Sequence, residues 1–342
     1  MSLMSRRKEG HIEAVLSGMA NARNVSAGFD QVHFEHCALP ELDLADIDLS
    51  TTFLGKSLRR PFLISSITGG HERAATINAV LAEAAQQLGI ALGVGSQRLA
   101  LSGGGFDGTD SSLRRIAPDI ALFANVGAAQ LREFHVDAMR RAVDMIHADA
   151  LIIHLNPLQE ALQARGDTCW SGLHARLEAV CVALPVPVIV KEVGFGISAS
   201  VARRLADCGV AAIDIAGAGG TSWSAVEGRL AHDPQQAALA EIFRDWGIPT
   251  TTALRQVSAA VPHLPLIGSG GIRHGLDAAK AVRLGAHLVG QAGPLLRAAI
   301  EGIEPLLAHF ALLEQGLRLA CFATGSANLM ALRQARLLDQ AA

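Results

Sequence analysis

The sequence predicts a single α/β domain of the (β/α)8 TIM-barrel class. Three observations carry this: eight short apolar runs, helical segments between them, and polar residues where each run stops. The runs are Phe62–Ile67, Ala91–Val94, Ile120–Ala124, Ala150–Leu155, Val186–Val190, Ala211–Ile215, Leu264–Ile267 and Ala286–Val289. None alternates apolar with polar, as expected of strands buried on both faces of a parallel sheet. Ala-rich segments with helical spacing separate them, among them Ala74–Leu88, Ala128–Ile146, Ser198–Cys208 and Gly275–Leu284. A doubly wound open sheet is the rival, but regular repetition without a reversal point favours closure. The barrel is expected from about Arg60 to Gly302, near the ~250 residues usual for the fold. A segment precedes it, a helical tail over Glu304–Leu338 follows it, and nothing in the composition divides residues 1–342 into two domains.

Polar residues collect at the carboxyl ends of the runs: Thr68-Gly69-Gly70, Ser96-Gln97-Arg98, Asn125, His154 to Asn156, Lys191-Glu192, Gly217 to Ser222 and Gly268 to Arg273. Barrel active sites are built from those ends. Polar loops alone would explain any one of these, but not all of them in step.

Composition excludes several classes. A net charge of −3 and a pI near 6.5 give no bulk attraction to nucleic acid or an anionic membrane. The absence of Tyr argues against an aromatic platform for single strands. Five scattered cysteines form no disulfide framework or zinc knuckle, and with no signal peptide the expectation is a cytoplasmic protein. The longest apolar stretch, Ala179 to Val190, is broken by Pro185 and Pro187 and is too short to span a bilayer.

Five sets of residues point to chemistry. Gly268-Ser269-Gly270-Gly271-Ile272-Arg273 opens a helix, so backbone amides, the helix dipole and Arg273 converge on a phosphate. Gly290-Gln291-Ala292-Gly293 supplies the adjacent loop, and this pair is where barrels bind phosphate. Gly217 to Thr221 forms a further Gly-rich loop, a hinge or another set of backbone donors. Lys191 suits a Schiff base or a charge beside an electron-rich ring, and equally a structural ion pair. His154, Asn156, Gln159 and Glu160 gather an imidazole, two amides and a carboxylate. Glu160 fits an Mg2+ ligand, although His154 also fits a core histidine and Glu160 a helix start. Arg7, Lys8, His11 and Arg98 would give a diphosphate its positive partners, whereas Arg7-Lys8 alone reads as a solvated N-terminus.

In order along the chain, Arg7-Lys8-x-x-His11, Thr68-Gly69-Gly70, Gly95-Ser96-Gln97-Arg98, Ala124-Asn125-Val126-Gly127, His154-Leu155-Asn156-x-x-Gln159-Glu160, Val190-Lys191-Glu192-Val193-Gly194-Phe195-Gly196, Gly219-Gly220-Thr221-Ser222-Trp223 and Gly270-Gly271-Ile272-Arg273 resemble the type II isopentenyl diphosphate isomerases. The resemblance implies FMN against Ser66, Ile67, Thr68, Ser96, Asn125, Lys191 and Thr221, with its phosphate on Gly271, Ile272, Arg273, Gln291 and Ala292. It implies isopentenyl or dimethylallyl diphosphate against Arg7, Lys8 and His11, in a segment of about residues 6–12, together with Ser96, Gln97, Arg98, His154, Asn156 and Gln159. Glu160 would hold Mg2+, while Gln159, His154 and Lys191 would serve catalysis. The family moves a double bond without net redox change yet needs reduced FMN, with NADPH as reductant. Its members form homo-oligomers, tetramers or octamers.

Three departures stand out: Ser66-Ile67 in place of Ala-Met, Ala164-Arg165 in place of Pro-Glu, and Trp170 in place of Phe. None removes a proposed key group. The alternative is an FMN-dependent 2-hydroxy-acid oxidase or dehydrogenase on the same barrel. Such an enzyme needs a His base after the sixth strand, where this chain has Gly217 to Thr221.

Overall fold

The computed structural model describes residues 3–67, 72–104 and 108–338, with the side chains of residues 3–8 and 72 left out. Ten strands are present among the described residues. A two-stranded antiparallel hairpin, β1 (Thr51–Phe53) and β2 (Lys56–Leu58), comes first. Then follow β3 (Phe62–Ile64), β4 (Ala91–Gly93), β5 (Leu122–Gly127), β6 (Ala150–Leu155), β7 (Val188–Glu192), β8 (Ala212–Asp214), β9 (Leu266–Ser269) and β10 (Ala286–Gln291). Strands β3 to β10 pair in parallel in chain order, and β10 closes on β3. The expected eight-stranded barrel is therefore the observed one.

The pleat sorts each strand's residues. Leu63, Ala91, Phe123, Ile152, Ile189, Ala212, Ile267 and Leu288 point inward and fill the barrel. Their neighbours Ile64, Leu92, Leu122, Leu151, Ile153, Val190 and Val289 point outward to the helices. Two such populations are what makes the runs apolar throughout. The hairpin β1–β2, which periodicity alone did not reveal, plugs the amino end of the barrel. Phe53 and Leu58 join the inward cluster, with Phe53 6.2 Å from Phe123 between ring centroids. Lys56 pins the plug through a 2.7 Å ion pair to Asp149, which also accepts from Arg114 at 2.8 Å.

The amino-terminal helix Leu3–Leu16 lies against the helices Trp223–Leu230 and Gly293–Glu301. The chain then crosses the carboxyl-terminal loops as a strap. Ala22 N donates to Gly220 O at 2.9 Å, Ser222 N to Ala20 O at 2.7 Å, and Thr251 N to Ala27 O at 3.0 Å. The tail forms the helices Ile303–Ala323 and Leu329–Gln334. The first is long and apolar enough, by length and composition, to cross a membrane. Here Leu306, Phe310, Leu313, Leu317 and Cys321 are core residues packed on the barrel's outer helices. Gly275, at the start of helix Gly275–Arg283, meets this tail so closely that a Cβ would sit 2.3 Å from Leu313 O.

His287 occupies the foot of β10, where its Nδ1 accepts from Leu266 N at 3.2 Å. Burial lowers its pKa from 6.5 to about 4, reinforced by Arg333. The fold therefore prefers the neutral ring, and stability present above pH 6.5 is lost as pH falls towards 4. At ~1.4 kcal/mol per unit the loss is on the order of 3 kcal/mol. Urea denaturation at the two pH limits should show that slope in the wild type. His287→Gln, which keeps an acceptor and cannot titrate, should flatten it by about that amount.

Candidate active site

One place above the apolar filling, each strand presents one more inward residue. These are Ser65, Gly93, Asn125, His154, Lys191, Asp214, Ser269 and Gly290, all polar or glycine. A polar floor thus lies across the barrel's carboxyl end, and hydrogen bonds organise it. His154 Nδ1 lies 2.9 Å from Asn125 Oδ1. Asn125 Nδ2 donates to Val94 O at 3.0 Å, so its Oδ1 is the acceptor and the imidazole carries hydrogen on Nδ1. Lys191 Nζ donates to Glu192 O at 2.9 Å and lies 3.4 Å from Asp214 Oδ2. Ser269 Oγ donates to Asp214 Oδ1 at 2.5 Å. Asp214 is fully buried and Lys191 nearly so, which makes this an ion pair screened from solvent.

A second network runs along the β6 end. Glu227, 4% exposed, lies 3.2 Å from His11 Nε2 and accepts from Gln159 Nε2 at 2.9 Å. Gln159 Oε1 accepts from Asn156 Nδ2 at 3.2 Å, and the same Nδ2 lies 2.9 Å from Glu160 Oε1. Glu160 Oε2 takes Asp167 N at 2.8 Å. Asp167 binds Arg98 at 2.8 Å, and Arg98 also reaches Glu133 at 2.6 Å. His11, Gln159, Asn156, Glu160 and Arg98 thus share one continuous polar chain. The amino-terminal helix enters it through His11, whose ring stands edge-on to Trp223 at 5.2 Å.

Glu192 follows Lys191 but faces the opposite way, as alternation requires. Its Oε2 accepts from the amides of Val193 (2.7 Å), Gly194 (2.7 Å), Phe195 (2.5 Å) and Gly196 (3.2 Å). Burial raises its pKa from 4.5 to about 7, and the amides and Lys191 pull the other way.

The glycine-rich loops interlock. Gly270 and Gly271 have φ of +97° and +67°, and a Cβ on Gly270 would sit 2.2 Å from Gly217 O. A Cβ on Gly219 would lie 2.0 Å from Ala27 N, and one on Gly220 2.6 Å from Gly271 N. Gly217 to Gly220 is therefore a packing surface between the strap and the β9 loop. Helix Gly275–Arg283 starts beside that loop and helix Gly293–Glu301 beside Gln291-Ala292, so two helix N-termini flank the expected phosphate position. Arg273 is exposed there, and Ile272 is buried beneath it.

The structure gathers most of the sequence-derived residues at one end of the barrel. Ser66, Ile67 and Ser96 follow the ends of β3 and β4, and Thr221 follows β8, with its hydroxyl beside Gly293. Two amides turn elsewhere. Gln97 is 1% exposed, accepts from Asn125 N at 3.0 Å and donates to Ala142 O at 2.8 Å, so its side chain braces β5. The Gln291 side chain points outward, donating to Ile272 O at 3.0 Å and lying 2.8 Å from His309 Nε2. Gln291 can meet a phosphate through its backbone alone. Thr68 and Gly69-Gly70 lie outside the described residues, as do the side chains of Arg7 and Lys8. Glu227, Asp214 and Asp167 are the residues that sequence reasoning missed. Glu227 lies one turn into the helix that Trp223 opens, on the face it shares with Trp223 and Leu230, and no local motif ties it to His11 or Gln159.

Two hydroxyls on the β3 wall, Ser65 Oγ and Ser66 Oγ, are buried without a hydrogen-bond partner among the described residues. Unmet polar groups beside glycine loops and helix N-termini suit a phosphate-bearing ligand. Fold and donor set together define a phosphate-binding barrel. A family model described as FMN-dependent dehydrogenase matches residues 136–339. A solved mandelate oxidase structure with an FMN adduct superposes with a TM-score of 0.67 at 18% identity, covering 95% of each chain.

The nearer likeness is in sequence. An isopentenyl-diphosphate delta-isomerase of Xanthobacter autotrophicus is 62% identical over 96% of both chains. One from Stutzerimonas stutzeri is 59% identical over 100% of this chain and 99% of its own. The chain belongs to the isopentenyl-diphosphate delta-isomerase family.

Removing the Asp214 carboxylate would leave the Lys191 ammonium buried without its counter-charge. Asp214→Ala is expected to cost roughly 3–5 kcal/mol of stability by denaturant titration. Asp214→Asn, which retains a hydrogen-bonding group of the same shape, should cost clearly less.

Proposed function

We propose that the protein interconverts isopentenyl and dimethylallyl diphosphate, using reduced FMN and Mg2+ with no net redox change and NADPH as the reductant. The observation that carries this over the oxidase reading is the packing of Gly217, Gly219 and Gly220. A 2-hydroxy-acid oxidase needs a histidine on that loop, and a Cβ at any of the three would run into backbone or Thr250 at 2.0–2.6 Å. The names of the relatives support the same choice.

Bound and reduced, FMN supplies an electron-rich ring that stabilises positive charge developing on a nearby alkene carbon. The protein's share is placement. The Lys191 ammonium is fixed by Asp214, and the Gln159 amide is held at both ends, by Asn156 and by Glu227. The His154 ring is fixed by Asn125. Arg98, already in a carboxylate cage, offers its guanidinium to the diphosphate as the substrate's charge competes with Asp167 and Glu133. Glu160 provides one carboxylate for Mg2+. Among the described residues no cluster of three or more His, Cys, Asp or Glu is gathered for a metal, so water and substrate phosphate would complete its coordination. Exposed apolar residues on the tail, Leu312 at 70% and Leu319 at 54%, support self-association, and the resemblance to the isomerase family supports a tetramer or octamer.

The test is anaerobic incubation of FMN-loaded protein with NADPH, Mg2+ and isopentenyl diphosphate, followed by NMR. Dimethylallyl diphosphate formed catalytically, and only with reductant, is the expected result. Flavin reduction by lactate or mandelate with no isomerised product would favour the oxidase. Glu160→Gln should lower kcat/KM at least tenfold and blunt the response to Mg2+, with bound FMN unchanged by its absorbance.

A further inference from the structure

Behind the wall that carries Lys191 lies a cavity of about 580 Å3 outside the barrel proper. Strands β6 and β7 form its inner face through Ile153, Leu155 and Glu192. The helices Leu173–Ala183 and Ala199–Asp207 cover it, and Trp170, Phe195 and Trp246 stand around it. Its size falls within the ~300–1,000 Å3 usual for small-molecule sites. The lining is aliphatic and aromatic except for Glu192 within and Ser198, His174 and Arg204 among its other wall residues.

Glu192 is the second observation. It is 6% exposed, and Oε2 alone takes the four loop amides. Among the described residues no hydrogen bond engages Oε1. A largely apolar pocket with one uncommitted carboxylate oxygen in its wall suits a ligand that is apolar over most of its surface and carries one donor. Once ionised, that oxygen would repel an anionic head, and a pure hydrocarbon would leave it unmet.

We propose that this cavity is a second ligand site, binding an apolar molecule through a single hydroxyl that donates to Glu192 Oε1. The site is separate from the polar floor: Lys191 faces the barrel axis and Glu192 the cavity. Pro157 and Leu158 line the cavity on the short helix whose next two residues are Gln159 and Glu160. An occupant therefore touches the element that carries the Mg2+ ligand without entering the active site.

The test uses the FMN-loaded full chain, titrated with 1-octanol and, separately, with 1-methoxyoctane, which has the same apolar body and no donor. Calorimetry gives affinity, and emission of Trp170 and Trp246, two of the three tryptophans, reports from the cavity wall. Saturable binding of the alcohol, about tenfold tighter than the ether, is expected. Val201→Phe, which fills the chamber from the covering helix, should weaken both ligands. Its FMN absorbance and melting temperature show whether it has folded. If it has not, a crystal grown with 1-octanol locates the ligand in the unaltered protein. No saturable binding, equal affinity for alcohol and ether, indifference to Val201→Phe in a folded variant, or density elsewhere would each overturn the proposal.

Discussion

The alternation of side chains along eight parallel strands is the constraint on which the molecule depends. Inward positions must fill a narrow barrel, and outward ones must meet helices. One more inward step, past the apolar filling, reaches the carboxyl mouth of the barrel. There the sequence changes to Ser65, Gly93, Asn125, His154, Lys191, Asp214, Ser269 and Gly290 together. The same step that ends the core begins the site. Its one strong electrostatic element, Lys191 with Asp214, spans adjacent strands whose register sets the two residues side by side.

Such a floor needs walls, and the amino-terminal strap supplies them. Its backbone seals onto Gly220, Ser222 and Thr251 through hydrogen bonds that only a close approach permits. The glycines at 217, 219, 220, 270 and 271 are explained as much by this interlocking as by phosphate binding, for in each case a Cβ would strike the neighbouring segment. The two explanations are compatible. Loops packed so tightly present their amides in fixed directions, and preorganised donors are what anion binding needs.

The barrel was legible in the sequence because a strand buried on both faces leaves an unbroken apolar run. Ala150–Leu155 matches to the residue, and the others begin or end within three positions of expectation. The hairpin β1–β2 was not legible, since a three-residue strand with one buried side chain leaves no periodic trace. The site was legible where chemistry is local, as in His154, Asn156, Gln159 and Glu160. Its long-range partners were not. Glu227 meets His11 across 216 positions and Gln159 across 68. Gln97 and Gln291 show the converse. Both sit in expected motifs, yet the pleat turns their amides into the outer layer, where they brace β5 and the Ile272 loop.

The dipeptide Lys191-Glu192 concentrates this lesson. In sequence it reads as two adjacent polar residues at a strand end. In the barrel they face opposite sides of one wall, and each finds its own partner. The ammonium meets a buried carboxylate, and the carboxylate gathers four loop amides. Each side chain thus has its main partners on its own side of the wall, so the loop Val193–Gly196 is fixed by Glu192 while Lys191 is held in the floor by Asp214. A strand of five residues then couples two environments rigidly, since neither charge can move without desolvation unbalanced by its partner. Whatever fills the outer cavity presses on the same wall that positions the reacting groups.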